Sequence, residues 1–222
     1  MDTVAGVDGV PGGWVVATIG HGTVSWAVLP DAAAVVAATV RCSAVGVDIP
    51  IGLPPDGARR ACDDVTARHL GRARSSVFPA PPRAVLDAPD YATACAVSRA
   101  LTGRAISLQS FHIGPKIRDW DALAGRPATI VEVHPELSLR RLAPDTAFAS
   151  KKTARGAGQR IAALARWLDP AVALADLPTG ARLDDVLDAL AAAWSAQRWA
   201  SGVAEVLGEE IDDRGRPMRV VV

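Results

Sequence analysis

The sequence predicts an α/β fold in which an antiparallel meander and parallel strands share one mixed sheet flanked by helices, with a largely helical insertion. Three observations lead there. The chain opens on three short apolar runs separated by glycine turns; helical and strand-like stretches then alternate; and a proline-punctuated, arginine-rich segment from Gly52 to Arg126 follows neither pattern. With 222 residues, half of them hydrophobic and 22% charged, the chain reads as a single domain over 1–222 with its insertion at about 52–126.

Each element has a local reason. Val4 to Val7 ends in Asp8-Gly9, the run Trp14 to Ile19 follows the turn residues Val10-Pro11-Gly12-Gly13, and Gly20-His21-Gly22 leads into Thr23 to Leu29, which makes three antiparallel strands. Asp31 is placed to cap an alanine-rich helix running to Val40. Val45-Gly46-Val47-Asp48-Ile49 is apolar for most of its length, as a central parallel strand buried on both faces is, and Pro50 stops it. Inside the insertion, prolines 54, 55, 79, 81, 82 and 89 break the pattern around helical stretches at Arg59 to Leu70 and Tyr91 to Leu101. Thr129 to Val133 is a fifth strand, followed by helices over Pro135 to Leu142, Thr153 to Leu168 and Asp184 to Ser201. The tail from Gly208 to Val222, with a turn at Asp212 to Gly215, reads as a small hairpin or an edge strand. Three strands in meander, a helix, a central strand and then further strand and helices is the element order of a ribonuclease H-like core.

Composition excludes several classes. Lys plus Arg and Asp plus Glu each number 24, so no net field draws the chain towards polyanions, although a local basic groove stays open. Cys42, Cys62 and Cys95 are far apart and form no paired motif for zinc or redox chemistry. The start, Met1-Asp2-Thr3, lacks a basic leader, and no apolar run approaches the roughly 20 residues that span a bilayer. The expectation is a cytoplasmic protein with no membrane partner.

The acids carry the chemistry. Asp8, Asp48 and Glu132 each stand at or near the end of an apolar strand, where an ionised carboxylate is costly unless paired or bound to metal. A divalent cation offsets both burial and mutual repulsion, and oxygen ligands suit Mg²⁺ or Mn²⁺. On the last helix Leu183, Leu187, Leu190 and Trp194 recur at core spacing, while Asp185 and Asp188, three apart, lie on one adjoining face. Plainer readings stand beside these: Asp184 as an N-cap, Asp185 as a first-turn charge, and Asp8 and Asp48 bonding neighbouring amides.

Gly6-Val7-Asp8-Gly9 with Gly12-Gly13-Trp14, the run Val47-Asp48-Ile49-Pro50-Ile51-Gly52-Leu53-Pro54, and Ser75-Ser76-Val77-Phe78-Pro79-Ala80-Pro81 resemble the domain-of-unknown-function family 429. So do Glu132-Val133-His134-Pro135-Glu136 and the stretch from Asp184 to Leu190. That family is regarded as a ribonuclease H-like nuclease, and Asp185-x-x-Asp188-Ala189-Leu190 is similar to the final helix of Holliday-junction resolvases. The resemblance implies that Asp8, Asp48, Asp185 and Asp188 bind metal, with Glu132 auxiliary, in a two-metal hydrolysis of phosphodiester bonds on a nucleic acid or nucleotide substrate. Such a site needs no side-chain nucleophile.

Arg74, Arg83, Lys116, Arg118, Lys151 and Lys152 are candidates to hold phosphate, and Lys151-Lys152 stands out because the only other lysine is Lys116. His134, two residues from both Glu132 and Glu136, is a candidate ligand or proton shuttle, with Pro135 interrupting the alignment. Two rival readings remain: a phosphotransferase or ATPase of the actin and sugar-kinase type, whose glycine-rich first hairpin Asp8 to Gly13 resembles, and a non-enzymatic metal- or nucleotide-binding protein. Oligomeric state is not legible.

Overall fold

The computed structural model describes residues 2–54, 59–123, 125 and 127–222, so Pro55 and the Arg126 end of the expected insertion lie outside the described residues. Three strands open the chain: β1 (Val4–Val10), β2 (Gly13–Gly20) and β3 (Thr23–Leu29), paired antiparallel in sequence order. Helix α1 (Ala32–Ala38) follows, with the Asp31 carboxylate accepting the Ala34 N–H at 2.8 Å as the cap expected of it. Strand β4 (Ala44–Val47) pairs parallel with β1, and β5 (Ile130–Glu132) pairs parallel with β4. The five-stranded sheet has the order β3-β2-β1-β4-β5, with antiparallel and parallel halves meeting at β1.

The chain divides into two compact units, one of Met1–Ile49, Gly125–Glu205 and Val221–Val222, the other of Pro50–Ala124 and Val206–Val220. The second unit carries α2 (Ala61–Leu70), a 3₁₀ turn over Gly71–Ser76, α3 (Arg83–Leu86), α4 (Tyr91–Thr102) and α5 (Leu108–Asp121). Helix α5 is absent from the sequence reading because Gly114 and Pro115 sit in its middle, where they read as breakers. The tail does fold into a two-stranded sheet, β6 (Val206–Ile211) and β7 (Pro217–Val221). Within this unit Asp121 receives Arg83, Arg214 and Arg216, and Asp212 receives Arg83 at 2.9 Å.

Back in the first unit come α6 (Pro135–Leu142), α7 (Ala154–Leu164), α8 (Pro170–Ala173) and α9 (Leu183–Ala200). Helix α9 is the centre of the core. Every residue from Val186 to Ala193 is buried, with Ser195 and Ala196, so the helix is packed on most sides as its alanine content predicts. Leu183 departs from the expected stripe and is exposed at the helix start. Ser138 and Ser195 pair their hydroxyls at 2.7 Å between α6 and α9, which satisfies two polar groups in an apolar interior.

Glycines set how closely α9 lies on the sheet. A Cβ on Gly6 would stand 1.9 Å from the Ala189 carbonyl oxygen, and one on Gly46 2.4 Å from that of Ala192. The two glycines are register partners on β1 and β4, so together they form a trough without side chains that receives the helix backbone. Val4, Ala44 and Ala196 pack together at the far end of the same face. Helix α9 therefore runs against β1 with its N-terminal half at the strand's C-terminal end.

Candidate functional site

Side chains alternate across a sheet with period two, so Asp8 shares the face of Val4 and Gly6, and that face carries α9. Strand β4 ends at Val47, two residues short of the expected Ile49, and the Asp48 N–H still donates to the Val7 carbonyl at 2.9 Å. Asp8 and Asp48 thus follow directly on the Val7–Val47 register pair. On α9, Asp188 precedes the Ala189 that seats on Gly6 and is itself buried. Three acids far apart in sequence meet at the strand ends.

Each of the three acids acts on the charge of another. Burial pushes the Asp8 carboxyl well up, and Asp48 and Asp188 push it further, against one N–H bond from Gly9 at 2.7 Å and the charge of Lys151. Asp48 is pushed up to about 8, by burial first and then by Asp188 and Glu132, with Lys151 opposing. Asp188 is raised by burial and by Asp184, while Lys151 and Arg160 pull it down. Lys151 Nζ donates to Asp188 Oδ2 at 2.6 Å. Burial works against the lysine's charge, yet Asp188, Asp8 and Asp48 together hold its ammonium above the ordinary lysine range.

Lys151 is placed by its loop. Thr153 caps α7 by accepting the Gly156 N–H at 3.1 Å, as the sequence predicts for a helix starting there. A Cβ at Gly156 would stand 2.0 Å from the Ser150 carbonyl oxygen, so the absence of a side chain lets the loop fold onto the helix. Arg160, one turn on, is buried and has no counterpart in the sequence reading. It donates to Glu136 Oε2 at 2.5 Å and to the carbonyls of Ala149 and Gly156, and it lies over the Phe148 ring. Its signal in the sequence is an arginine on the buried stripe Gly156, Arg160, Ala163, Leu164.

Other expected members sit elsewhere. Asp185 accepts the Arg182 backbone N–H at 2.9 Å, so it caps α9 from the third helical position, while Arg182 takes the N-cap position expected for Asp184. Glu132 is buried and pairs in register with Val47; its neighbours Val131 and Val133 pack on Ala192, so alternation turns Glu132 to the face away from α9. His134 is the N-cap position of α6, its carbonyl accepting from Leu137 and Ser138. Lys152 is exposed beside Lys151. Arg83, Lys116, Arg118 and Arg74 belong to the second unit, and the Arg83 guanidinium is committed to Asp121, Asp212 and Asp213, which leaves no fork for phosphate.

When ionised the three carboxylates outnumber the one ammonium paired among them, and the donors are hard oxygens, so the chemistry of the set fits a divalent cation. The spacing is open: among the described residues no three His, Cys, Asp or Glu side chains close into a cage for an ion. Lys151 holds one of the acids instead.

Among the described residues no helix is long and apolar enough to cross a membrane. No curated protein and no solved structure matches the chain. One family model does, described as a protein of unknown function (DUF429), over residues 6–213, a span that takes in β1 from Gly6, Asp48 after β4, helix α9, and the second unit as far as Asp213, so that β7 lies beyond it. By that match the chain belongs to family DUF429.

Proposed function

We propose that this protein is a divalent-metal-dependent hydrolase of phosphodiester bonds, a nuclease, on a ribonuclease H-like fold. The observation that carries the reading is the meeting of Asp8, Asp48 and Asp188 at adjacent strand ends, buried acids whose mutual repulsion Lys151 offsets only in part. The strand order β3-β2-β1-β4-β5, antiparallel in its first three strands, supports the fold. Asp8, Asp48 and Asp188 would be the ligands, with Glu132 adding negative charge behind Asp48. Mg²⁺ or Mn²⁺ held there would activate water and stabilise the leaving oxygen. Lys151, half exposed at the same point, meets the charge of a phosphate oxygen. Asp185 is a positioning residue that holds the start of α9.

The test is hydrolysis of labelled linear, branched and single-stranded nucleic acids with Mg²⁺ or Mn²⁺. Cleavage that needs the metal and falls more than about a hundredfold in Asp8→Asn and Asp48→Asn is expected. Cleavage that survives both substitutions overturns the assignment. The 2.6 Å pair between Lys151 and Asp188 favours a second reading, a metal-free carboxylate–lysine cluster in a binding protein. Calorimetry that detects no Mg²⁺ or Mn²⁺ binding at pH 8 selects it.

A further inference from the structure

The second unit is rich in arginine, and its guanidinium groups fall into two sets. Arg60 is buried on Asp63; Arg83, Arg214 and Arg216 converge on Asp121; and Arg59 reaches Asp64 at 2.7 Å. Arg68, Arg72 and Arg74 have no carboxylate partner among the described residues. They line an open hollow of about 830 Å³ with Asp64, Ala67 and Gly71, at the end of α2 and along the 3₁₀ turn. All three are exposed, and the one acid in the wall, Asp64, is already taken by Arg59. The lining is otherwise Ala67 and Gly71, so nothing apolar invites a buried side chain or base.

We propose that this hollow binds the phosphodiester backbone of a nucleic acid. Three guanidinium forks with no carboxylate partner among the described residues, within one helical turn and the bend after it, match successive phosphates, because guanidinium meets phosphate with two parallel N–H bonds and costs little to desolvate. The hollow is too wide for one inorganic phosphate and offers only one small apolar wall residue besides glycine, which suits backbone contact without base readout. Gly71 has φ 53°, a turn that glycine makes without strain, and it swings Arg72 and Arg74 round to the side of Arg68. Of these three arginines only Arg74 is among the phosphate candidates of the sequence, since three arginines spread over seven positions show no pattern until the turn closes them. The nucleic-acid partner, as against another polyanion, rests on the proposed phosphodiesterase site.

The experiment is salt-dependent binding of the full chain to fluorescent duplex and single-stranded DNA and RNA, in EDTA so that no cleavage intervenes. The comparison is between wild type and a triple variant, Arg68→Gln with Arg72→Gln and Arg74→Gln. Three lost phosphate contacts lower the slope of log K against log salt by about 2.7 on a duplex or about 2.1 on a single strand. A triple Arg→Lys variant restores most of the slope, which separates charge from folding. An unchanged slope in the Gln variant overturns the proposal, as does a loss confined to vesicles containing phosphatidylserine. A reduced slope in a protein with no metal-dependent hydrolysis keeps the hollow and removes the catalytic reading. Hydrolysis that depends on Asp48 with an unchanged slope does the reverse.

Discussion

At Asp48 the carboxyl titrates near 8 while an unfolded chain releases the same proton near 4. Between those values the native state binds the extra proton, so the first unit loses stability as pH rises from about 4 to about 8. Asp48→Asn removes that cost and is expected to raise the melting temperature at pH 8 by a few degrees, about 1 kcal/mol or more, while abolishing hydrolysis. Scanning calorimetry at pH 5 and pH 8 checks the sign. Lys151→Ala acts oppositely, since it leaves Asp188 buried without its ammonium; discounted for the lysine's exposure, a loss of about 1–2 kcal/mol at pH 8 is expected. Saturating Mg²⁺ should raise the melting temperature of wild type more at pH 8 than at pH 6, because at the lower pH it must displace a proton. Equal shifts at both pH values would argue against these acids as the ligands.

The helix α9 and the strands beneath it form one positioning device. Gly6 and Gly46 bring the helix backbone against the sheet, and Asp188 reaches Asp8 and Asp48 only at that separation. Gly46→Ala would put its Cβ 2.4 Å from the Ala192 carbonyl oxygen, backbone that cannot step aside, so the helix must lift. The expected cost is about 3 kcal/mol, with Mg²⁺ affinity lost along with stability, as paired denaturant titration and calorimetry would show. Glu132 illustrates the opposite case. One position of strand register places it on the far face, although spacing in sequence groups it with the other acids.

Over the whole molecule the two units are expected to respond to acid in opposite senses. In the second unit, burial works to raise Asp212, but the N–H groups of Arg216, Leu53 and Arg214 and the charge of Arg83 hold it below the ordinary carboxylate range. Its stabilisation is complete at neutral pH and is lost as pH falls below about 4, whereas the acids of the first unit are relieved by protonation. Hydrogen exchange followed amide by amide is expected to show β6 and β7 opening first in acid, and α9 weakest near pH 8 without divalent ions. Uniform protection loss across both units would refute that division.

Residue type and period determined the three antiparallel strands, the Asp31 cap and the buried run of α9, because each is written in contiguous positions, and motif blocks spread along the chain pointed to the family. Asp8, Asp48 and Asp188 were legible too, as charges inside apolar runs. Tertiary structure decided what the neighbours do: that Glu132 faces away, that Arg83 is spent on carboxylates, and that Arg160 and Lys151 stand beside Asp188. Those roles depend on strand register, helix rotation and loop closure, which are settled by packing between segments tens of residues apart.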